Sequence, residues 1–464
     1  MKKCGVLATV LLATVIAICG CGNSTQSLSE EQDNVQNVQN IGQGRQTEGI
    51  QETASTPLPY EQPEMKGEIT VSCFYEEEFL RVSAEKFMKI YPDVKVTINS
   101  YQGEGGVNAV ENYLTYLNTK IMTGKAEDIL FTTYLPITKY SEMGVFEDLS
   151  PYVSSMPEFN EENYFMNVLL AAKEKSGELY LLPYMARFQT IGFSKELLSG
   201  HKDFEKELSN EQSHRFSSAM AIAKQLVDDT DRPNAFLTLI GEVDFAHRLF
   251  QDSLRQFIDV EKKEVKLDTP EYIELLKYVK DLLENGYFES GLDFYNVEYY
   301  LAAIVDLDVQ AAFYSLDENA GDVYCMPIAD AAGSVSISAN SCVSLNSASE
   351  NKKLAWEFIR YMLSEEAQTQ PSVLGAAVNR QGFEAAVERY YGFYSNGNKN
   401  TSIKKEAYHD VLETWMNQIN DCDTLDPDIL WMVDEENSKY FSGQQTAEDT
   451  ASNLQRQLEQ YFNE

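Results

Sequence analysis

The sequence predicts an α/β protein, because segments with strand and helix character alternate along most of the chain. Residues 68–74 and 94–98 have strand patterns, and the residues between them carry apolar side chains at helical spacing. Strands that alternate with helices predict mostly parallel sheets covered by helices on both faces. The length of 464 residues allows two or three domains.

Three strand–helix pairs open the folded part of the chain. Strands at 68–74, 94–98 and 128–131 are each followed by a predicted helix, and Pro92, Gly124 and Gly144 mark the helix ends. A hairpin is predicted at 257–268, followed by a helix after Pro270. Near the C-terminus, apolar spacing predicts helices at 408–419, 426–443 and 446–461.

Residues 333–380 are predicted to fold as strand, helix, second helix and strand. Polar and apolar side chains alternate from Ser334 to Ala339, as in a half-buried strand. A helix follows with apolar residues at positions 355, 358, 359 and 362, which share one face. Ser364, followed by two glutamates, marks the start of the second helix.

The overall charge is strongly acidic. Lys and Arg number 37 against 73 Asp and Glu, which gives a formal net charge of −36. Nucleic-acid binding needs a basic face, so no nucleic-acid partner is predicted. We interpret the acidity as a solvated surface that favours solubility and carries no information about a ligand.

The first twenty residues have the pattern of a signal peptide. Lys2 and Lys3 precede an apolar run, residues 6–18, that is too short and too N-terminal for a typical spanning helix. The run ends in Ile-Cys-Gly-Cys, which resembles the lipoprotein box of bacteria, with Cys21 as the residue that carries the lipid (palmitate). Cys19 departs from that pattern, and a plain signal peptide cut nearby is the alternative.

A polar tether is predicted between the anchor and the folded part. Residues 22–66 consist mainly of Gln, Asn, Ser, Thr and Glu, a composition that cannot offset the entropy of ordering a chain. This order of segments places the folded part on the cell membrane, facing away from the cytoplasm. The segments are a signal peptide (1–20) and a lipidated cysteine with its tether (21–66). Export allows disulfides. Cys73 and Cys342 lie in predicted strands, where free buried cysteines are common, so pairing stays open.

Six phrases of the sequence resemble one family, the extracellular solute-binding proteins of ABC importers, and in particular its maltose- and oligosaccharide-binding class. The resemblance extends over about residues 68–464. The phrases are YPDVKVTINSY (91–101), GKAEDILF (124–131), MGVFEDLSPYV (143–153), GELYLLPYMARFQTIGFSKELL (177–198), NKKLAWEFIRYMLSEEAQ (351–368) and YFSGQQTAEDTASNLQRQL (440–458).

The resemblance implies a two-lobed fold like that of type II periplasmic binding proteins, with a hinged cleft between the lobes. Residues 67–186 plus 333–366 are expected to form the first lobe, and residues 187–332 plus 367–464 the second. The expected function is capture of a carbohydrate in the cleft and delivery to the permease of an ABC transporter. The resemblance implies a monomer that makes and breaks no bond.

A sugar-binding cleft needs flat aromatic faces for the apolar faces of the ring and planar carboxylate, amide or guanidinium groups for the hydroxyls. In an α/β fold such groups lie at strand ends that face the cleft. The resemblance and this chemistry together give eight candidate ligand residues: Tyr75, Glu76, Glu77, Tyr134, Arg187, Gln189, Tyr314 and Trp431.

Several candidates have an ordinary structural alternative. Glu76 and Glu77 precede a helix and suit its positive end. Trp431 lies among apolar residues and could belong to the core. Trp356 and Trp415 share the apolar faces of their helices and are predicted to be core residues.

The sequence contains no catalytic motif of the HExxH, G-x-S-x-G or P-loop type, and its four histidines lack ligand spacing. Asp421, Asp423, Asp426 and Asp428 offer oxygen ligands for Ca²⁺, but they lack the glycine of an EF-hand loop, and Asp426 is expected to cap a helix. No metal and no cofactor are therefore predicted.

Three alternatives to a sugar importer stay open. A secreted glycosidase would need a pair of carboxylates at fixed separation, and the chain lacks (β/α)₈ alternation. The same fold could serve a signalling receptor instead of a permease. It could also bind a peptide, a polyamine or an oxyanion, since Glu76 and Glu77 suit a cation and Arg187 suits an acid.

Overall fold

The structure of the protein is a computed structural model. It describes residues 60–101, 109–194, 236–238, 253–260, 262–285, 288–290, 302–305, 323–330, 333–373, 375–397 and 403–463, with positions 203, 225, 250 and 312. The predicted signal peptide, Cys21, most of the predicted tether and Tyr314 lie outside these residues.

The first sheet combines three strands from the beginning of the folded part with two that arrive later. Its strands are β1 (Gly67–Cys73), β2 (Val94–Ser100), β3 (Ile129–Phe131), β4 (Leu182–Pro183) and β13 (Cys342–Leu345), in the order β2-β1-β3-β13-β4. β1 pairs in parallel with β2 and β3, whereas β13 runs antiparallel to β3 and β4. The parallel prediction holds for the first three strands. β13 runs in the opposite direction, and β4, its antiparallel neighbour, has the direction of the first three strands.

The second sheet has the same size and the same mixture of directions. It contains β5 (Thr190–Ser194), β6 (Phe236–Thr238), β9 (Phe288–Ser290), β10 (Ala302–Val305) and β11 (Val323–Pro327), in the order β11-β5-β10-β6-β9. β5 is antiparallel to both of its neighbours, and the other pairs are parallel. The predicted hairpin is confirmed as β7 (Ile258–Asp259) and β8 (Glu264–Val265). β12 (Val335–Ser338) pairs in parallel with β14 (Ile419–Asp423).

Helices surround these strands, as an α/β fold requires. Those in the described part of the chain are α1 (Glu78–Ile90), α2 (Ala109–Met122), α3 (Ile137–Glu142), α4 (Ser150–Ser154), α5 (Met166–Leu169), α6 (Pro270–Glu284), α7 (Lys352–Leu363), α8 (Glu365–Gln368), α9 (Arg380–Gly397), α10 (Lys405–Gln418), α11 (Pro427–Phe441) and α12 (Ala447–Asn463). A short 3₁₀ turn, Ala339–Ser341, joins β12 to β13.

The periodicity of the first helices matches the face that they bury. Phe79, Leu80, Ala84 and Phe87 of α1 are buried, and the ring of Phe87 lies 5.2 Å from that of Phe358 on α7. A fully buried side chain of this size contributes about 2–3 kcal/mol through removal of apolar surface from water. The α1–α7 contact therefore ties the start of the folded part to residues more than 250 positions later.

The buried apolar side chains form two clusters. The first contains side chains from β1 to Phe188, from β12 to α8 and from residues 373–422, and the second contains side chains from 250–282, 326–328 and 429–458. The C-terminal segment thus contributes side chains to both clusters, up to residue 422 to the first and from residue 429 to the second. The amide of Asn167 on α5 is one link within the first part, because it donates to the carbonyls of Met416 and Ile419 at 2.8 Å each. The lobe boundaries remain a prediction.

Three further predictions concern buried side chains and membrane spans. Trp356 and Trp415 are confirmed as core residues, with exposed fractions of 0% and 5%. Cys73, Cys325, Cys342 and Cys422 are all buried. None of the helices in the described residues is long and apolar enough to cross a membrane.

Candidate ligand-binding site

Four of the candidate ligand residues lie together at one edge of the first sheet. Tyr75 and Glu77 follow β1, Tyr134 follows β3, and Arg187 lies between β4 and β5. β1 and β3 are parallel neighbours, so the loops at their carboxyl ends meet at the same edge. These four residues are called the site cluster below.

The ionic pair of the site cluster is Glu77 with Arg187. The closest atoms, Glu77 Oε1 and Arg187 Nη2, are 4.0 Å apart, and the two side chains are 14% and 38% exposed. The hydroxyl of Tyr184, itself buried, donates to Glu77 Oε2 at 3.0 Å. Glu77 occupies the N-cap position of α1 but its side chain makes no capping hydrogen bond. Its carboxylate therefore faces the cluster, and the helix-capping alternative is not what the structure shows.

Two tyrosines complete the site cluster. The side chain of Arg187 forms a hydrogen bond with the hydroxyl of Tyr75, and the hydroxyl of Tyr134 lies close enough to interact with Tyr75 electrostatically. Burial, assisted by the charge of Glu77 and opposed by Arg187, raises the pKa of Tyr75. Burial alone raises the pKa of Tyr134. Both phenols are therefore neutral at physiological pH and able to donate a hydrogen bond.

Tyr134 has an unusual backbone conformation and belongs to an aromatic group. Its φ of 64° lies in the left-handed region, and its N–H donates to the side-chain oxygen of Asn340 at 2.9 Å. Its ring contacts Phe74 edge to face at 5.1 Å, and Phe74 also stacks on Tyr101 at 6.4 Å. Aromatic side chains thus gather at the carboxyl ends of β1, β2 and β3.

Glu76 and Gln189 lie close to the cluster in sequence but have different environments. Glu76 is exposed. Gln189 is half-buried, and its side-chain oxygen is buried without a hydrogen-bond partner in the described part of the chain. Its backbone carbonyl accepts a hydrogen bond from the N–H of Ile328 at 2.9 Å, which joins the segment between β4 and β5 to the end of β11.

Trp431 lies on α11, where its side chain is 40% exposed and lines a pocket of about 360 Å³. The core alternative is therefore not what the structure shows. The pocket lies along α2, α3 and α11, with an apolar floor that includes Leu114, Ile121 and Met143 and with polar groups at Asn118, Lys139 and Asp428. Pro136, two residues after Tyr134, also lines it. The pocket thus adjoins the turn that carries Tyr134.

Three of the four aspartates considered for Ca²⁺, Asp421, Asp423 and Asp426, have protein partners. Asp421 and Asp423 both accept hydrogen bonds from Arg255, and Asp426 accepts from the Thr138 N–H and the Tyr461 hydroxyl at 3.2 Å each. Asp426 stands at the N-cap of α11, but its side chain makes no capping bond, because these two donors occupy it. No group of three or more His, Cys, Asp or Glu side chains in the described ranges is placed to hold a metal ion.

The two mixed sheets, the surrounding helices and a polar and aromatic cluster at the strand ends define an α/β solute-binding fold. The chain belongs to the family of bacterial extracellular solute-binding proteins, since the model of that family matches residues 75–369. This is a family of binding proteins. A sequence comparison with curated proteins gives no match.

Solved structures show the same fold at low sequence identity. The sugar-binding protein MalE from Xanthomonas citri is 14% identical, and the match covers 86% of this chain and 98% of that chain with a TM-score of 0.56. A family 1 extracellular solute-binding protein from Alicyclobacillus acidocaldarius is 16% identical, with 87% and 100% covered and a TM-score of 0.54. An ABC substrate-binding protein from Listeria monocytogenes, solved in complex with cycloalternan, is 16% identical, with 86% and 99% covered and a TM-score of 0.52.

Sequence reasoning missed two residues of this region. Tyr184 is fully buried, and its hydroxyl donates to Glu77 of the site cluster. Asn340 reaches Tyr134 across 206 positions of the chain. Neither contact has a signal in the local sequence, although the placement of Asn340 directly after a predicted strand was visible.

Proposed function

We propose that this protein captures a carbohydrate at the site cluster and delivers it to the permease of an ABC transporter. The observation that carries the proposal is the convergence of Tyr75, Glu77, Tyr134 and Arg187 at the carboxyl ends of β1 and β3. Aromatic faces next to a carboxylate and a guanidinium are the groups that a sugar requires. The sugar ligands named for the similar structures support the same class of solute.

The charges of the site cluster favour a neutral ligand. Glu77 and Arg187 face each other at 4.0 Å, so one carboxylate and one guanidinium balance within the cluster. The guanidinium has five N–H donors, and it can hold Tyr75 while other donors meet ligand hydroxyls. An anion would have to compete with the Glu77 carboxylate for Arg187, and a cation would have to compete with the Arg187 guanidinium for Glu77.

Transport requires that the ligand change the population of two conformations. A ligand bound to the site cluster and to residues of the second sheet makes some contacts only when the two parts close around it, so it shifts the equilibrium toward the closed state. The closed state then presents its surface to the permease. No covalent step is part of this proposal.

The proposal includes a lipid anchor on Cys21 and a monomeric folded part outside the cytoplasm. Its support is the sequence of residues 1–21 and the extracellular family to which the chain belongs. Mass spectrometry of the full-length product tests the anchor, since a lipidated chain begins at Cys21 and carries acyl chains. A chain that begins elsewhere and carries no acyl group contradicts it.

The test of the binding function is a thermal-shift panel on the full-length protein, in a detergent whose headgroup is not a sugar. The panel holds maltose, maltotetraose, other mono- and oligosaccharides, amino acids, polyamines and phosphate. A ligand that binds only the folded state adds about 2.7 kcal/mol of stability at one hundred times its Kd. We expect a shift with an oligosaccharide and unchanged sugar by chromatography after incubation.

Three outcomes contradict parts of this proposal. A shift with a polyamine, a peptide or phosphate alone replaces the sugar with another solute. Cleavage of the oligosaccharide replaces the binding function with a glycosidase. Sensing replaces delivery if a sugar raises the melting temperature of the protein and cells that lack a partner permease still respond to that sugar through a receptor.

A further inference from the structure

The turn that carries Tyr134 is built on an unfavourable residue choice. Tyr134 and Lys263 are the residues other than glycine with positive φ in the described ranges. The Leu135 N–H donates to the Thr132 carbonyl at 3.0 Å and closes a four-residue turn, in which Tyr134 is the third residue. A left-handed third position favours Gly or Asn, because a larger side chain crowds its own backbone there. Such a conformation persists only where its surroundings hold it.

The segment that holds this turn is the 3₁₀ turn between β12 and β13. The side-chain oxygen of Asn340 accepts from the Tyr134 N–H at 2.9 Å, and the Asn340 carbonyl accepts from the Thr133 hydroxyl at 3.0 Å. The Thr132 hydroxyl donates to the Cys342 carbonyl at 2.8 Å. Asn340 is in turn fixed by its own N–H, which donates to the Ser338 hydroxyl at 3.3 Å.

The same segment also fixes Arg187. The N–H of Ser338, two residues before Asn340, donates to the Arg187 carbonyl at 2.8 Å. One stretch of five residues, 338–342, therefore sets the backbone at Tyr134 and at Arg187, which come from separate parts of the chain. Both side chains interact with Tyr75, Arg187 through a hydrogen bond and Tyr134 through the approach of its phenol.

We propose that Asn340 is a positioning residue for ligand binding, which holds Tyr134 in its left-handed conformation so that the Tyr134 ring packs on Phe74 and stands beside Tyr75. This inference rests on the proposed function, because Tyr134 is assigned there as a ligand residue. A tyrosine in place of the favoured Gly or Asn brings an aromatic ring to this position, where it packs on Phe74 at the edge of the sheet. The energy stored at Tyr134 is the cost of presenting an aromatic ring from that position.

The first arm of the test needs no ligand. Hydrogen exchange of the Tyr134 amide in the full-length protein is compared between the wild type, Asn340→Ala and Asn340→Asp. The alanine variant lacks the acceptor, so we expect exchange at least about tenfold faster, and the aspartate variant keeps the acceptor and the slow exchange. Equal exchange in the wild type and in Asn340→Ala overturns the positioning role.

A pair of substitutions at Tyr134 isolates the backbone strain. Tyr134→Gly and Tyr134→Ala both remove the ring, but only alanine keeps a Cβ in the left-handed region. We expect Tyr134→Gly to melt about 2–4 °C above Tyr134→Ala. An alanine variant that melts at the same temperature or higher shows that the position is not strained, and it overturns the argument from residue choice.

The second arm measures binding of maltotetraose by titration calorimetry. We expect Asn340→Ala to bind about tenfold more weakly than the wild type, with a melting temperature within about 2 °C of it, and Asn340→Asp to recover most of the affinity. Unchanged affinity in Asn340→Ala, or an equal loss in both variants, overturns the proposal. A wild type that binds no sugar overturns the sugar assignment, and the exchange measurement then decides separately whether Asn340 positions Tyr134.

Discussion

Two groups of charged side chains in this protein differ in how completely their charges are paired. In the site cluster, one carboxylate, Glu77, faces one guanidinium, Arg187, at 4.0 Å. In the other group, which we call the Arg255 network, a single guanidinium contacts Asp421, Asp423 and Asp330, the last at 3.6 Å, and also donates to the Cys422 carbonyl at 3.2 Å. The first group has one long ionic pair, whereas the second surrounds one guanidinium with three carboxylates and a carbonyl.

The Arg255 network joins separate parts of the chain. Asp421 and Asp423 lie on β14, which pairs with β12, and Asp330 lies between β11 and β12. The three carboxylates raise the pKa of Arg255 although burial opposes this. A guanidinium that holds three acids contributes to stability mainly because its removal leaves those acids to repel one another.

The largest expected effect is therefore loss of stability in Arg255→Leu. Its partners are 12–34% exposed, so water screens part of the repulsion, and we expect about 2–3 kcal/mol of destabilisation. Urea unfolding measures it, with Arg187→Leu as the matched variant from the site cluster. The comparison fails if Arg187→Leu destabilises the protein as much as Arg255→Leu does.

The next effect concerns Asp426, a buried acid three residues after Asp423 of the Arg255 network. Burial raises its pKa from 3.8 to about 6, against the two hydrogen bonds from Thr138 and Tyr461. Because the folded state holds the proton more tightly than the unfolded state, stability falls as pH rises from about 4 to about 6 and then levels. The size of the fall for this one group is about 2–3 kcal/mol.

Asp426→Asn removes this titration but keeps the acceptor that meets the Thr138 N–H. Urea unfolding at pH 4, 5, 6 and 7 should show the wild type losing stability relative to Asp426→Asn across that range. Other carboxyl groups titrate equally in both proteins, so only the difference between them is informative. A constant difference, or one of opposite sign, shows that Asp426 ionises normally and that its two donors compensate for burial.

The third prediction concerns Arg187, where we expect a large loss of affinity with a small loss of stability. Arg187→Gln should weaken maltotetraose binding about tenfold to a hundredfold, because a charged hydrogen-bond donor is worth about 1.5–3 kcal/mol. Its free energy of unfolding should change by less than about 1 kcal/mol, since the pair with Glu77 is long and partly exposed. Arg255→Lys serves as a control with an intact site cluster. Equal affinity in Arg187→Gln and the wild type removes Arg187 from the site.

The contrast between the two groups also shows what the sequence could predict. Tyr75, Glu77 and Tyr134 were candidates because they follow strands in a segment where strands and helices alternate, a pattern that predicts parallel strands whose carboxyl ends share one edge. Arg187 was found through the resemblance of residues 177–198 to a known phrase. In each case, a local pattern or a recognised phrase placed the residue at the edge of the sheet.

Contacts that depend on packing between distant segments could not be predicted. Nothing local distinguishes Glu77, whose carboxylate meets Tyr184 and Arg187, from Glu76, which is exposed. The acids of β14 were considered as Ca²⁺ ligands, because the sequence does not show that Arg255, more than 160 residues earlier, lies against them. Asn340 was missed for the same reason.

The smallest expected effect tests whether the Trp431 pocket belongs to the site. Trp431 is 40% exposed, and the other two tryptophans, Trp356 and Trp415, are buried, so a change in the fluorescence of the accessible tryptophan reports on the pocket.

A sugar ring stacked on Trp431 contributes about 0.5–1.5 kcal/mol beyond the area it buries. Trp431→Ala should therefore weaken maltotetraose binding about threefold to tenfold, and Trp431→Phe, which keeps a flat ring, should lose less. Because Pro136 brings the pocket next to the turn of Tyr134, a sugar that also contacts Trp431 would extend the site cluster toward α11. If maltotetraose binds Trp431→Ala as tightly as the wild type and leaves the fluorescence of Trp431 unchanged, the site ends at Tyr134 and the pocket is a separate surface.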